Sequence, residues 1–170
     1  MADQPSNPSI GPACGAAREA LAGADAVTAV VNDPQRHTDS AAVLARVLAG
    51  RRPAHVRALV AAGSHRFSSA VRADFERRLR AAAPVGEIAW HDARRDDLAP
   101  LGPSGVWRGH PWLLEAPALL AVGSVEPHYF AGFTGAHKTC TIGCAAYGDI
   151  EANHARALDA RCQPGRLAGN

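Results

Sequence analysis

The 170-residue chain has a formal net charge of +2, and charged residues make up 20% of it. This length suffices for one domain with a hydrophobic core and is too short for two ordinary ones. Because basic and acidic residues are interleaved, the charge pattern argues against a nucleic-acid-binding protein. No apolar run of about 18 residues predicts a membrane span. Four cysteines without a secretory signal predict reduced thiols and a cytoplasmic protein.

Apolar, β-branched stretches alternate with amphipathic ones along the chain. Strands alternating with helices at this spacing predict an α/β fold, a single domain with a Rossmann-like parallel sheet and helices on both faces. Strands are predicted at 25–33, 55–63, 85–92 and 116–125, and helices at 15–22, 38–50, 68–82 and 149–162. Residues 93–117 are expected to form a loop, 1–14 a disordered lead-in, 15–164 the domain, and 165–170 a tail.

Polar side chains follow three of the predicted strands. In open α/β sheets, ligands bind outside the carboxyl ends of the strands, so these side chains are expected to share one rim. They are Asp33, Arg36 and His37 after the first strand, Ser64, His65 and Arg66 after the second, and Glu126 and His128 after the fourth.

Several of these residues also have an ordinary structural explanation. Asp33 precedes Pro34 and is typical of the start of a turn. His65 could cap the helix that follows it, and His128 carries little weight alone. Their coincidence at one edge of the sheet is what favours a functional site.

The segment AGFTGAHK at 131–138 is rich in glycine and contains a lysine. Its backbone amides could hold a phosphate, with Lys138 as the counter-charge. The segment matches neither the Walker A pattern nor the dinucleotide-binding glycine pattern. Lys138 could therefore bind a phosphate, attach a ligand covalently, or be a solvated surface residue.

A zinc site is a separate alternative for the same region. Four side chains are spaced H-x2-C-x3-C-x9-H, which superficially suggests zinc but matches no standard finger. These residues are His137, Cys140, Cys144 and His154.

The stretches VVNDPQRHTD, GSHR, HDARRDD and GSVEPHYFAGFTGAHK, and then Asn153–His154, occur in that order. Together they resemble the N-terminal domain of the nickel-dependent lactate racemases, the LarA-like family. The resemblance spans roughly residues 20 to 160. Its most specific part runs from Glu126 to Lys138 and is followed by His154.

The resemblance implies a nickel pincer nucleotide as cofactor (pyridinium-3,5-bisthiocarboxylic acid mononucleotide nickel). By similarity, Lys138 would attach this group covalently through a thioamide. His154 would supply the protein ligand to nickel. A planar set of nitrogen and sulfur donors agrees with the metal's preferences.

The resemblance further implies racemisation or epimerisation of a 2-hydroxy acid by hydride transfer. His65 and His128 would be acid/base groups on opposite faces of the substrate, while Asp33 and Arg36 would bind it. Removing the C2 hydrogen as a proton beside a carboxylate is very unfavourable. Its removal as a hydride is feasible when a base takes the hydroxyl proton, and racemisation needs such a base on each face.

Family members carry a C-terminal domain that is expected to be absent from this chain. A separate chain supplying that domain and the cofactor-synthesis enzymes are therefore the expected partners, besides the small hydroxy acid. The family's usual Gly-Gly-Arg-Lys is here Gly135 to Lys138 with Ala136 and His137, and His137 could offer nickel a competing nitrogen. The alternative function is a non-catalytic module of this fold that binds a nucleotide or anion.

Overall fold

The computed structural model describes residues 10–50, 53–102 and 106–169. The strands are β1 (Ala26–Asn32), β2 (His55–Ala61), β3 (Glu87–Trp90), β4 (Ala99–Leu101), β5 (Trp107–Gly109), β6 (Leu119–Ala121), β7 (Pro127–His128) and β8 (Gly132–Phe133). The α-helices are α1 (Ile10–Ala20), α2 (Ser40–Leu48), α3 (Ser69–Ala82), α4 (Trp112–Glu115), α5 (Ala136–Cys140) and α6 (Tyr147–Ala155). Short 3-10 helices lie at Ile142–Cys144 and Arg156–Leu158.

Four strands form a parallel sheet in the order β3-β2-β1-β6. Helices α2 and α3 connect β1 to β2 and β2 to β3, as the crossover of parallel strands requires. Strand β1 is apolar over nearly its whole length because both of its faces are covered, and its five central residues are buried. The predicted Rossmann-like α/β fold is confirmed.

Alternating residues of the central strands enter two separate hydrophobic clusters. On one face, Val31 and Val60 pack with residues of α1, α2 and α3. On the other face, Val30 and Leu59 pack with Cys144 and with partly buried residues of α4 and α5. Helical segments therefore cover both faces of the sheet, as predicted.

Side chains cap the two long crossover helices. Asp39 accepts a hydrogen bond from the Ala42 amide at 3.0 Å and begins α2. Ser68 accepts one from the Val71 amide at 3.4 Å and begins α3. The cap of α3 is thus Ser68, so the interpretation of His65 as a helix cap is wrong.

The amino-terminal boundary differs from the prediction. Helix α1 begins at Ile10, so residues 10–14 of the expected disordered lead-in are helical, while residues 1–9 lie outside the described residues. Cys14 is buried in the same cluster as the sheet. Tertiary packing therefore extends the helix beyond what the local pattern indicates.

The expected loop at 93–117 contains the β4–β5 hairpin and α4. Contacts with distant residues hold this segment. The Arg108 guanidinium donates to the Leu98 carbonyl, and the Arg108 amide donates to Asp149 at 2.8 Å. Such contacts leave no periodic pattern in the sequence.

Two further elements are shorter than predicted. The strand expected at 116–125 is β6, three residues long, after which the chain turns towards α5. The helix expected at 149–162 spans Tyr147–Ala155 and continues as a 3-10 helix to Leu158. Leu158 is 94% exposed, so no core packing supports a longer helix there. None of the described helices has the length and apolar character needed to cross a membrane.

Candidate active site

A pocket of about 540 Å³ lies at the carboxyl ends of β1, β2 and β6. Its lining comes from the segments after these strands, from α5 and from α6. The structure brings together there all six residues to which the family resemblance gives a role: Asp33, Arg36, His65, His128, Lys138 and His154. Of the other residues expected at this rim, Ser64 also lines the pocket, whereas His37, Arg66 and Glu126 do not. We refer to it as the main pocket.

Asp33 and His65 form a pair between the ends of β1 and β2. The Asp33 side chain is 3% exposed, and its Oδ2 accepts a hydrogen bond from His65 Nδ1 at 2.9 Å. Its other oxygen, Oδ1, accepts from the Gln35 amide at 2.9 Å. The carboxylate therefore both holds the turn and orients the imidazole, leaving Nε2 of His65 as an acceptor nitrogen.

His128 and Lys138 form the second pair. Lys138 Nζ lies 3.0 Å from His128 Nε2. The Phe130 and Ala131 amides donate to His128 Nδ1 at 3.5 and 3.3 Å. His128 is thus held by its own loop through Nδ1, and its Nε2 faces the Lys138 amine.

The electrostatics of the main pocket favour the uncharged forms of its basic groups. Burial, assisted by repulsion between an imidazolium and the cationic forms of Lys138, Arg36 and His154, lowers the pKa of His128 to about 4. Burial and the Arg36 charge lower the pKa of Lys138. Burial and the Lys138 charge lower the pKa of His154. Both imidazoles are therefore neutral near pH 7, as a base or a metal ligand requires.

Phe130 lies among three of these groups, and the sequence reasoning assigned it no role of its own. Its ring is 3% exposed and packs edge-on against His128 at 4.8 Å and against His154 at 5.4 Å, centroid to centroid. Lys138 Nζ lies 5.3 Å from the ring centroid. The one sequence signal for a role of Phe130 is its place in the E-P-H-x-F run, two residues after His128.

A polar network that the sequence reasoning also missed anchors α5 to the sheet. Thr139 Oγ1 donates to Asn32 Oδ1 at 2.8 Å, and Asn32 Nδ2 donates to Thr38 Oγ1 at 2.8 Å. The Ser124 amide donates to the same Thr38 oxygen at 3.1 Å. A Cβ at Gly123 would lie 2.6 Å from Thr139 Oγ1, so only glycine allows this close approach.

Lys138 is the single lysine of the 170-residue sequence. Apart from the histidines, every other basic side chain is an arginine. A guanidinium cannot replace an amine as a nucleophile, since it stays protonated. The side chain is half-buried in α5 beside His128 rather than solvated. This composition signal was available in the sequence and points to amine chemistry at this position.

The zinc alternative finds no support in the geometry. Within the described ranges, no three His, Cys, Asp or Glu side chains come close enough to hold a metal ion. Burial raises the pKa of the Cys140 thiol to about 11 and, together with Cys140, raises that of Cys144. His137 is exposed and does not belong to the lining of the main pocket.

We expect the Lys138 amine to react at lower pH than an ordinary lysine. Because its pKa is lowered, the uncharged form that attacks an acylating reagent is populated at lower pH. The measurement is the rate of Lys138 acylation against pH, read by peptide mass spectrometry. Arg36→Gln should shift the profile back towards that of the denatured chain, which serves as the reference. Coincident profiles of native and denatured protein would contradict this expectation.

The sequence matches the family model described as "Lactate racemase N-terminal domain" over residues 11–164. It is 33% identical over 107 residues to the lactate racemase of Thermoanaerobacterium thermosaccharolyticum, covering 59% of this chain and 24% of that protein. It is 33% identical over 104 residues to the lactate racemase of Lactiplantibacillus plantarum, with the same coverage. The chain thus spans 24% of the length of these curated relatives.

Solved structures share the fold. The lactate racemase apoprotein of T. thermosaccharolyticum superposes with a TM-score of 0.71 at 24% identity, covering 93% of this chain and 42% of that one. A Thermotoga maritima protein superposes with a TM-score of 0.72 at 20% identity, covering 92% and 43%. At these levels of identity, both similarities establish a shared fold.

Proposed function

The chain belongs to the lactate racemase N-terminal domain family, and from this membership we propose that it is the cofactor-carrying domain of a 2-hydroxy acid racemase or epimerase. The cofactor would be a nickel pincer nucleotide. One observation carries the proposal: the single lysine of the chain lies in the main pocket within 3.0 Å of His128, with its pKa lowered. A lowered pKa increases the fraction of uncharged amine, which is the form that attacks an electrophilic group.

The residues of the main pocket fit such a group. Its volume of about 540 Å³ suits a cofactor of mononucleotide size. His154 lines the pocket with its pKa lowered, so the imidazole is available as a metal ligand. Lys138 would attach the group, and His154 would ligate nickel.

His65 and His128 would then serve as the two bases. Asp33 holds His65 through Nδ1 and leaves Nε2 to take the substrate hydroxyl proton. Asp33 itself acts as a positioning residue because it is almost fully buried. His128 lines the main pocket, and its Nε2 contacts the Lys138 amine in the unmodified chain. Acylation removes the Lys138 charge, so the pKa of His128 should rise from its low value.

Arg36 supplies the positive charge for the substrate. Its side chain is exposed at the edge of the main pocket, and none of the described carboxylates forms an ion pair with it. A guanidinium binds a carboxylate through two parallel hydrogen bonds and so fixes the orientation of the acid.

When bound, the nickel pincer nucleotide would supply reversible oxidation of the hydroxy acid by hydride transfer. The two imidazoles hold or return the hydroxyl proton on either face, which permits inversion.

We further propose that a second domain or chain completes the site. Tyr129 and Val125, which follow β6 beside the main pocket, are 66% and 74% exposed. Excluding water strengthens the electrostatic interactions of a site and protects reactive intermediates. The greater length of the curated relatives supports such a completing segment. Enzymes that make the cofactor would be further partners.

Intact-mass spectrometry and nickel analysis after co-expression with the cofactor-synthesis enzymes test the proposal. Wild-type protein should carry one covalent adduct and one equivalent of nickel. Lys138→Arg keeps the positive charge but lacks an acylable amine, so it should carry neither adduct nor stoichiometric nickel. His137→Ala, at an exposed neighbour in α5, is the matched control and should load like wild type. Unloaded wild-type protein would contradict the proposal and favour a non-catalytic binding module.

A further inference from the structure

A second, smaller recess adjoins the main pocket behind the turn that follows β2. It has a volume of about 20 Å³ and shares Gly63, Ser64 and His65 with the main pocket. Its remaining lining includes His91 and three arginines, which are Arg66, Arg72 and Arg94. We call it the arginine recess. The family resemblance assigns it no role.

The three guanidiniums of the arginine recess are held without carboxylate partners. Arg72 lies over the Trp90 ring with its Cζ 5.1 Å from the centroid, and Arg94 lies over Tyr147 at 3.3 Å. Among the described residues, no carboxylate pairs with Arg66, Arg72 or Arg94. Asp92 also lines the recess, but its Oδ1 accepts from the Arg94 amide. Three positive charges against one negative charge favour an anion there.

Two buried polar atoms of the arginine recess have no hydrogen-bond partner in the described part of the chain. They are Nε of Arg72, a donor, and Nδ1 of His91. His91 is 2% exposed, and its Nε2 donates to the Ala145 carbonyl at 2.8 Å. The imidazole therefore carries its proton on Nε2 and presents Nδ1 as an acceptor. Burial lowers the pKa of His91, which keeps the ring neutral.

The two unpartnered atoms specify the ligand more closely than charge does. A buried acceptor requires a hydrogen-bond donor, while the arginines favour anionic acceptor oxygens. A phosphate that retains one P–OH supplies both. An ionised carboxylate and a sulfate offer acceptors only. The volume of the recess admits about one water-sized group, so the P–OH would enter it. The charged oxygens would stay at the mouth, near the exposed Arg66 and Arg94.

We propose that the arginine recess binds the protonated phosphate group of inorganic phosphate or of a phosphate monoester, with His91 Nδ1 accepting its hydroxyl proton and Arg66, Arg72 and Arg94 binding its anionic oxygens. The proposal does not depend on the racemase function, since it involves neither Lys138 nor His154.

Isothermal titration of the full chain with inorganic phosphate and with sulfate, at equal ionic strength, tests the inference without any substitution. Phosphate should bind saturably, and sulfate at least about tenfold more weakly, because sulfate cannot donate to His91. Equal affinities would overturn the role of His91. Absence of saturable phosphate binding would show that the recess holds only water and would overturn the proposal.

Three variants locate the bound ion. Arg72→Gln should weaken phosphate binding by about tenfold or more, because it removes a charge-assisted hydrogen bond. Arg77→Gln alters another arginine of α3, one paired with Asp74, and should leave the affinity unchanged. Arg36→Gln, in the main pocket, should also leave it unchanged. Weakening by Arg36→Gln instead of Arg72→Gln would place the ion in the main pocket and overturn the proposal.

Methyl phosphate distinguishes the two sources of the ligand. A monoester loses its second proton with a pKa of about 6, whereas inorganic phosphate keeps a P–OH at neutral pH. If the ester binds below pH 6 as tightly as inorganic phosphate, the recess accepts the phosphate of a larger molecule. If only inorganic phosphate binds, the free ion is the ligand. Both results support a hydroxyl-bearing phosphate, whereas tighter binding of the fully ionised ester would contradict it.

Discussion

Replacing His65 or His128 by alanine should lower the racemisation rate of the cofactor-loaded protein by about 10²- to 10⁴-fold, in both directions. The expectation rests on the proposed function. The substrate hydroxyl proton must be taken on one face and returned on the other, so loss of either base blocks interconversion. The measurement is the rate of enantiomer interconversion of a 2-hydroxy acid by chiral chromatography.

The control separates catalysis from loading. Both histidine variants should still carry the Lys138 adduct and nickel, because neither residue is proposed to ligate the metal. His55→Ala alters an exposed histidine at the opposite, amino-terminal end of β2 and should leave the rate unchanged. Racemisation within tenfold of wild type in either site variant would remove that histidine from the mechanism.

Leu59→Ala should lower the free energy of unfolding by about 2–5 kcal/mol. Leu59 is completely buried in β2, and it packs in the cluster that joins the sheet to Cys144 and to Cys140 of α5. Truncation leaves a cavity beneath the segment that carries Lys138, so the native state loses both burial and packing. Urea unfolding monitored by circular dichroism measures the change.

Leu158→Ala is the matched control, since it removes the same atoms from a side chain that is 94% exposed. Its free energy of unfolding should stay within about 0.5 kcal/mol of wild type. A cost of less than about 1 kcal/mol for Leu59→Ala would show that the second cluster contributes little to stability.

The parallel sheet was predictable because burial on both faces leaves a continuous apolar run such as Val27 to Val31. The hairpins β4–β5 and β7–β8 were not predicted. Their strands have only two or three residues, and contacts from distant segments hold them, including those of Arg108 with Leu98 and Asp149. Local propensity carries no signal for elements of this length.

The candidate site, too, was predictable from the sequence only in part. Topology alone predicts that segments after parallel strands meet at one edge, and the structure indeed places Arg36, His65 and His128 around one pocket. Which atoms face each other does not follow from topology. The burial of the Asp33 carboxylate against His65 Nδ1 and the packing of Phe130 against two histidines depend on side-chain packing across separate elements.

By itself, the sequence determined the fold class, the edge of the sheet where the reactive side chains gather, and the placement of the single lysine among them. It could do so because strand direction and burial follow from the order and polarity of residues along the chain. Only the tertiary structure decided that Asp33 orients His65 through Nδ1 and that Lys138 contacts His128. It also decided that His91 and three arginines enclose a second recess. These features depend on distances between segments far apart in the chain, which no local pattern encodes.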